Sequence, residues 1–125
     1  MAVARVRVAT TLVAGASAAA REDSIAALLR AAPPGGLSAV ILEGLAPGST
    51  PIPDSSSVRL VRLAGGCPCC AGNLVLRVTL NRLLRQGPER LFIGLAGSEH
   101  LDQLRSWLQD APYDQLLALD PVVRL

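Results

Sequence analysis

The stretch LAGGCPCCAGNL, residues 63–74, holds every cysteine of the chain: Cys67, Cys69 and Cys70. Thiolates are good ligands for Zn²⁺ and other soft or borderline divalent ions, so metal binding is the first chemistry this turn suggests. Gly65 and Gly66 let the backbone turn tightly, and a helix starting near Asn73 would aim its positive end at the thiols, favouring the thiolate form. A lone C-x-C-C offers at most three ligands, and adjacent cysteines seldom point the same way. Two thiolates are therefore the working number, with Glu43 and the single histidine, His100, as candidates to complete a site. Taken alone, His100 reads as an ordinary helix residue, and Glu43 equally well as a solvated strand-end carboxylate. Thiol redox chemistry is a second reading, but the spacing is not C-x-x-C and a Cys69–Cys70 bridge would be strained. The third reading is structural, with small cysteines buried in a tight turn, or a remnant of a lost function.

The elements that would position this turn follow from hydrophobic period and breakers. Residues 5–15, RVRVATTLVAG, read as a first strand ending at Gly15. Early arginines followed by small residues also resemble an export signal; Thr10 and Thr11 interrupt the apolar run, which favours the strand. Residues 21–32 predict a helix, with Ile25, Leu28 and Leu29 at helical spacing and Glu22 and Asp23 in its first turn. Residues 37–44 form an apolar second strand, as expected where both sheet faces are covered. The Pro- and Ser-rich residues 45–57 read as a loop, the one stretch with a mobile composition. Residues 58–64 predict a third strand, and Arg59 and Arg62 place it near a sheet edge.

After the cysteines, residues 71–87 predict the strongest helix, with Leu76, Leu80, Leu83 and Leu84 facing the core and Asn73, Arg77, Asn81 and Arg85 facing out. A fourth strand at 90–97, a helix at 98–110 capped by Ser98, and a short last strand ending near Asp120 complete the chain. Strands alternating with helices predict an α/β fold: three layers, with a mostly parallel sheet of about five strands between flanking helices. In such a sheet ligands sit at the carboxyl ends of the strands, so Gly15 and the cysteine turn should share one rim.

Composition narrows the functions. The 125 residues suit one domain, and half of them are apolar. One Phe, one Tyr and one Trp leave an aliphatic core and no platform for stacking bases. A net charge of +2 is too small for a nucleic-acid footprint. No apolar run is long enough to span a membrane. An odd number of clustered cysteines does not look like a secreted disulfide framework, which suggests a reducing cytoplasm. All twelve basic residues are Arg, so chemistry that requires Lys is excluded.

Residues 60–84 resemble the G-C-x-C-C region of the CobW-like proteins, P-loop GTPases related to HypB and UreG. The order strand, G-C-x-C-C, helix, strand is reproduced by Gly66–Cys70, the long helix and LFIGLAG, and VILEG resembles the family's strand ending in an N-E pair. The resemblance implies a P-loop NTPase-like fold over residues 1–125, shortened at its C-terminus, with Cys67, Cys69 and Cys70 as ligands in zinc, cobalt or nickel trafficking. It also implies a phosphate loop after the first strand, and there the sequence departs from the family. A Walker A loop needs G-x-x-x-x-G-K-[ST]. Gly15 fits the first position, but Ala20, Arg21 and Glu22 stand in those of the second glycine, the lysine and the hydroxyl. Arg does not replace Lys in a tight phosphate cradle. Glu22 would repel a triphosphate by about 1–4 kcal/mol per charge pair near 4 Å. IGLAG lacks the family's Glu, and N-K-x-D cannot occur without Lys. The expectation is a pseudo-GTPase with a vestigial phosphate loop at Gly15 and Arg21, no bound nucleotide expected, and a metal-binding role. The alternative is an interaction module pairing with an intact GTPase, another protein or a second copy of itself. A residual GTP-binding protein ranks third.

Overall fold

Apolar, β-branched stretches placed between helices build a wholly parallel sheet. The computed structural model describes residues 7–15, 17–33, 35–44, 50–52, 55–63, 73–96 and 101–125. In chain order the elements are β1 (Val8–Ala14), α1 (Ala18–Ala31), β2 (Ser38–Glu43), β3 (Val58–Leu63), α2 (Asn73–Leu84), β4 (Arg90–Leu95), α3 (Leu101–Leu108), α4 (Tyr113–Leu116), β5 (Leu117–Leu119) and β6 (Val123–Arg124). The sheet order is β3-β2-β4-β1-β5, and β6 pairs with β1 beyond β5. All of these pairings are parallel.

The three layers are visible in how successive residues point to opposite faces. Leu12, Ala39, Ile41, Leu91 and Ile93 join Leu76 and Leu80 of α2 and Leu101, Leu104 and Leu108 of α3 in one core. Their sheet neighbours Val13, Val40, Leu42 and Phe92 join Ile25 and Ala26 of α1 in the other. Gly94 permits the close approach of α1, because a Cβ there would lie 2.9 Å from Leu42 Cδ2 and 3.4 Å from Ile25 Cδ1. The protein's Tyr and Trp tie three helices together. The Tyr113 hydroxyl donates to Asn81 Oδ1 at 2.9 Å, its ring lies 4.9 Å from that of Trp107, and Arg77 sits over Trp107.

The α/β class, the edge position of β3 and the buried face of α2 match the sequence reading, except that Leu84 is only half-buried. Three details differ. α1 begins at Ala18, not residue 21, so Glu22 and Asp23 lie beyond its first turn, which contains no acid. The cause is Ser17, whose hydroxyl caps the helix by accepting from Ala20 N at 3.1 Å. The C-terminal segment holds a helical turn and two short strands where one strand was expected. Pro121 has no N–H to donate, so the run along β1 breaks after Leu119 and resumes at Val123. Part of the Pro/Ser loop is anchored, since Ile52 is buried against α1's core. Ser98, the expected cap of α3, lies outside the described residues. Among the described residues no helix is long and apolar enough to cross a membrane.

Candidate functional site

Because every strand runs the same way, all carboxyl ends lie along one rim of the sheet. Ala14 pairs with Leu95, and Glu43 pairs with Leu63, the last residue of β3 before the cysteine stretch. The first strand and the strand leading to the cysteines thus end on the same rim. β4 and β2 stand between them, so the two ends are separated by about 14 Å at ordinary strand spacing. Cys67, Cys69, Cys70 and His100 lie outside the described residues. Among the described residues no three His, Cys, Asp or Glu side chains gather as a metal group.

Glu43 is held at this rim. Its Oε2 accepts from Ala96 N at 2.8 Å, which links the ends of β2 and β4. The next residue, Gly44, donates from its N–H to Leu63 O at 2.9 Å, fixing where β3 ends.

At the end of β1 the turn is filled by the chain itself. Gly15 has φ +93°, a conformation that glycine adopts at little cost. A Cβ there would also lie 2.7 Å from Leu125 O, and Leu125 N donates to Ala14 O at 2.9 Å. Only positions 15–17 separate β1 from α1. Ser17 engages the first N–H groups of the helix: Ala20 N bonds its hydroxyl and Arg21 N its carbonyl, at 3.1 and 3.0 Å. Arg21, buried, folds back to donate to Gly15 O at 3.1 Å. A phosphate loop needs N–H groups turned towards its anion. Here two of them, together with the guanidinium in the lysine position, serve the turn.

Glu22 also points inward. It is 2% exposed and receives two hydrogen bonds from Arg62 of β3, at 2.9 and 3.2 Å. Burial alone pushes its carboxyl pKa upward. Hydrogen bonds from Arg62 and Thr50, with the charges of Arg62 and Arg21, outweigh burial and hold the pKa below the usual value. The sequence reading placed Glu22 against a triphosphate; in the fold its partner is Arg62, five positions before Cys67. The Ser17 cap had a signal, a Ser directly before a helical stretch. The Glu22–Arg62 pair had none.

Against known proteins, no protein-family model and no solved structure matches the chain. Part of it is similar to a zinc chaperone. The match is 40% identical over 65 residues to the protein named zinc chaperone YeiR of Escherichia coli (strain K12). It covers 51% of this chain and 20% of YeiR, so the chain spans about a fifth of the relative it matches. The name YeiR carries is a statement about that protein, and the parallel α/β sheet described above is what this chain contributes independently.

Proposed function

We propose that the chain is a CobW-like domain that binds zinc through Cys67, Cys69 and Cys70 and takes part in zinc trafficking without hydrolysing GTP. The observation that carries this reading is the similarity to a zinc chaperone over half of the chain. The fold supports it: the strand entering the cysteine stretch ends on the rim where parallel α/β sheets hold ligands, with Glu43 paired beside that end. Zinc takes thiolates and carboxylates in tetrahedral sets, so two or three of the cysteines with Glu43 or His100 make a suitable donor set. The absence of Lys from the sequence, the cap from Ser17 to Ala20 N and the bond from Arg21 to Gly15 O argue against a triphosphate there.

Titrating the protein with zinc against a chelating dye should show about one equivalent taken up, and Cys69→Ser with Cys70→Ser should abolish it. Uptake that does not depend on the thiols, or no uptake, rejects the metal reading. Adding GTP and Mg²⁺ should leave the melting temperature unchanged; a rise that saturates with GTP would show retained nucleotide binding. A second reading, an interaction module for an intact GTPase, is favoured by Val75 and Val78, 56% and 50% exposed on α2. That role needs no thiol-dependent zinc uptake, so the titration separates the two.

A further inference from the structure

The opposite rim of the sheet carries a feature that the zinc reading does not use. A cavity of about 1060 Å³ opens where β1 and β4 begin, beneath the end of α2. That is ample for a small molecule, since ligand sites usually span about 300–1,000 Å³. Its wall is apolar where it meets the core: Val8, Leu84 and Leu116 are partly buried there, and Pro88 is buried. Among the described residues, no aromatic ring lines it.

The charges around the cavity do not balance. Among the described lining residues, three arginines, Arg7, Arg85 and Arg90, face one acid, Glu89. Arg90 is committed: it donates to Ser38 Oγ at 3.0 Å and to Pro33 O at 3.3 Å, and it pairs with Glu89 at 3.5 Å. The guanidiniums of Arg7 and Arg85 have no hydrogen-bonding or ionic partner among the described residues, although the backbone N–H of Arg85 donates to Asn81 O at 3.2 Å. Asp114 lines a smaller neighbouring cavity that Arg7 also borders, and the two form no ion pair. The preceding turn of α2 adds only the neutral Asn81, whose Oδ1 is taken by Tyr113. The cavity thus joins an aliphatic floor to two uncommitted guanidiniums, and guanidiniums bind carboxylates in paired, charge-assisted hydrogen bonds.

We propose that this amino-rim cavity binds a small amphipathic anion, a carboxylate on an aliphatic body. Arg85 and Arg7 meet the carboxylate, and Val8, Leu84 and Leu116 surround the body. The described wall offers no ring as a stacking plane, which favours an aliphatic body over an aromatic one. The site lies at the far end of the strands from Gly15 and Glu43, so it stands or falls apart from zinc binding.

The test is an amide NMR titration of the full chain with octanoate, using octan-1-ol as its uncharged counterpart. Saturable shifts are expected at Ala9, Gly87 and Glu89, with Ala14 and Gly44 unmoved. Arg85→Gln and Arg7→Gln should each weaken octanoate about tenfold, the worth of one charge-assisted hydrogen bond, and leave octan-1-ol unaffected. Arg85 is exposed, so an unchanged spectrum away from the cavity verifies that its variant is folded. Shifts that do not saturate, shifts centred on the opposite rim, or octanoate binding equally well to both variants would overturn the proposal.

Discussion

Replacing Glu22 with Gln lowers the stability of the fold by about 3 kcal/mol, the lower end of what breaking a buried ion pair costs. The side chain of Glu22 is 3% exposed and that of Arg62 is 24% exposed. Gln preserves the shape and one acceptor, but it leaves the Arg62 guanidinium, largely out of water, without its counter-charge. The partial exposure of Arg62 lets solvent take up some of the loss, which is why the lower end is expected. The readout is a shift in the urea midpoint at constant m-value. Adding Arg62→Met should restore a good part of the loss, since an apolar replacement removes the stranded charge. A loss below about 1 kcal/mol for Glu22→Gln, or no recovery in the double variant, would show that the pair is not what holds α1 to β3. The same pair sets an acid limit. The folded pKa of Glu22 is depressed, so its contribution is complete above the unfolded carboxylate value and disappears as pH falls through the folded one. The Gln variant should lack that part of the acid transition.

Leu80→Ala should cost about 2–5 kcal/mol, the range for emptying a fully enclosed leucine site. Leu80 is 0% exposed and packs in the larger core between α2 and the sheet. Val78 lies two positions earlier in the same helix and is 50% exposed, so Val78→Ala should change stability by no more than about 0.5 kcal/mol. Ala favours the helix at either position, so the gap between the variants reports burial and not helix propensity. Equal effects on the thermal midpoint would mean that α2 does not pack on the sheet through this face. α2 is the helix that follows the cysteine stretch, so the variant also shows how firmly that stretch is backed.

The layered plan was legible because it rests on repeating signals. Val40, Ile41 and Leu42 form an unbroken apolar run that only a strand covered on both faces explains. Leu76, Leu80 and Leu83 recur at helical spacing, and all three are buried. Arg59 and Arg62 marked β3 as an edge, and it is one. The start of α1 was obscured because Ala18–Ala20 carry no amphipathic pattern, so the cap at Ser17 and the inward turn of Glu22 went unseen. A pairing between Glu22 and Arg62 joins residues 40 positions apart, and no local period encodes it. The filling of the Gly15 turn by Leu125 is equally non-local. At the C-terminal end, Asp120-Pro121 masked the second short strand because the sequence there reads simply as a stop.

The strand order has a consequence for how this chain is made. β1 has no neighbour among β2 and β3; its central partner is β4, with Ala9 set against Arg90 and Ala14 against Leu95. On the ribosome the apolar first strand must therefore wait, bare along both margins, until residues 90–95 emerge from the tunnel. At ordinary synthesis rates of about 5–20 residues per second that interval lasts several seconds. During it, Leu12, Val13 and Ala14 are open to holding by a chaperone or to clumping with other nascent chains.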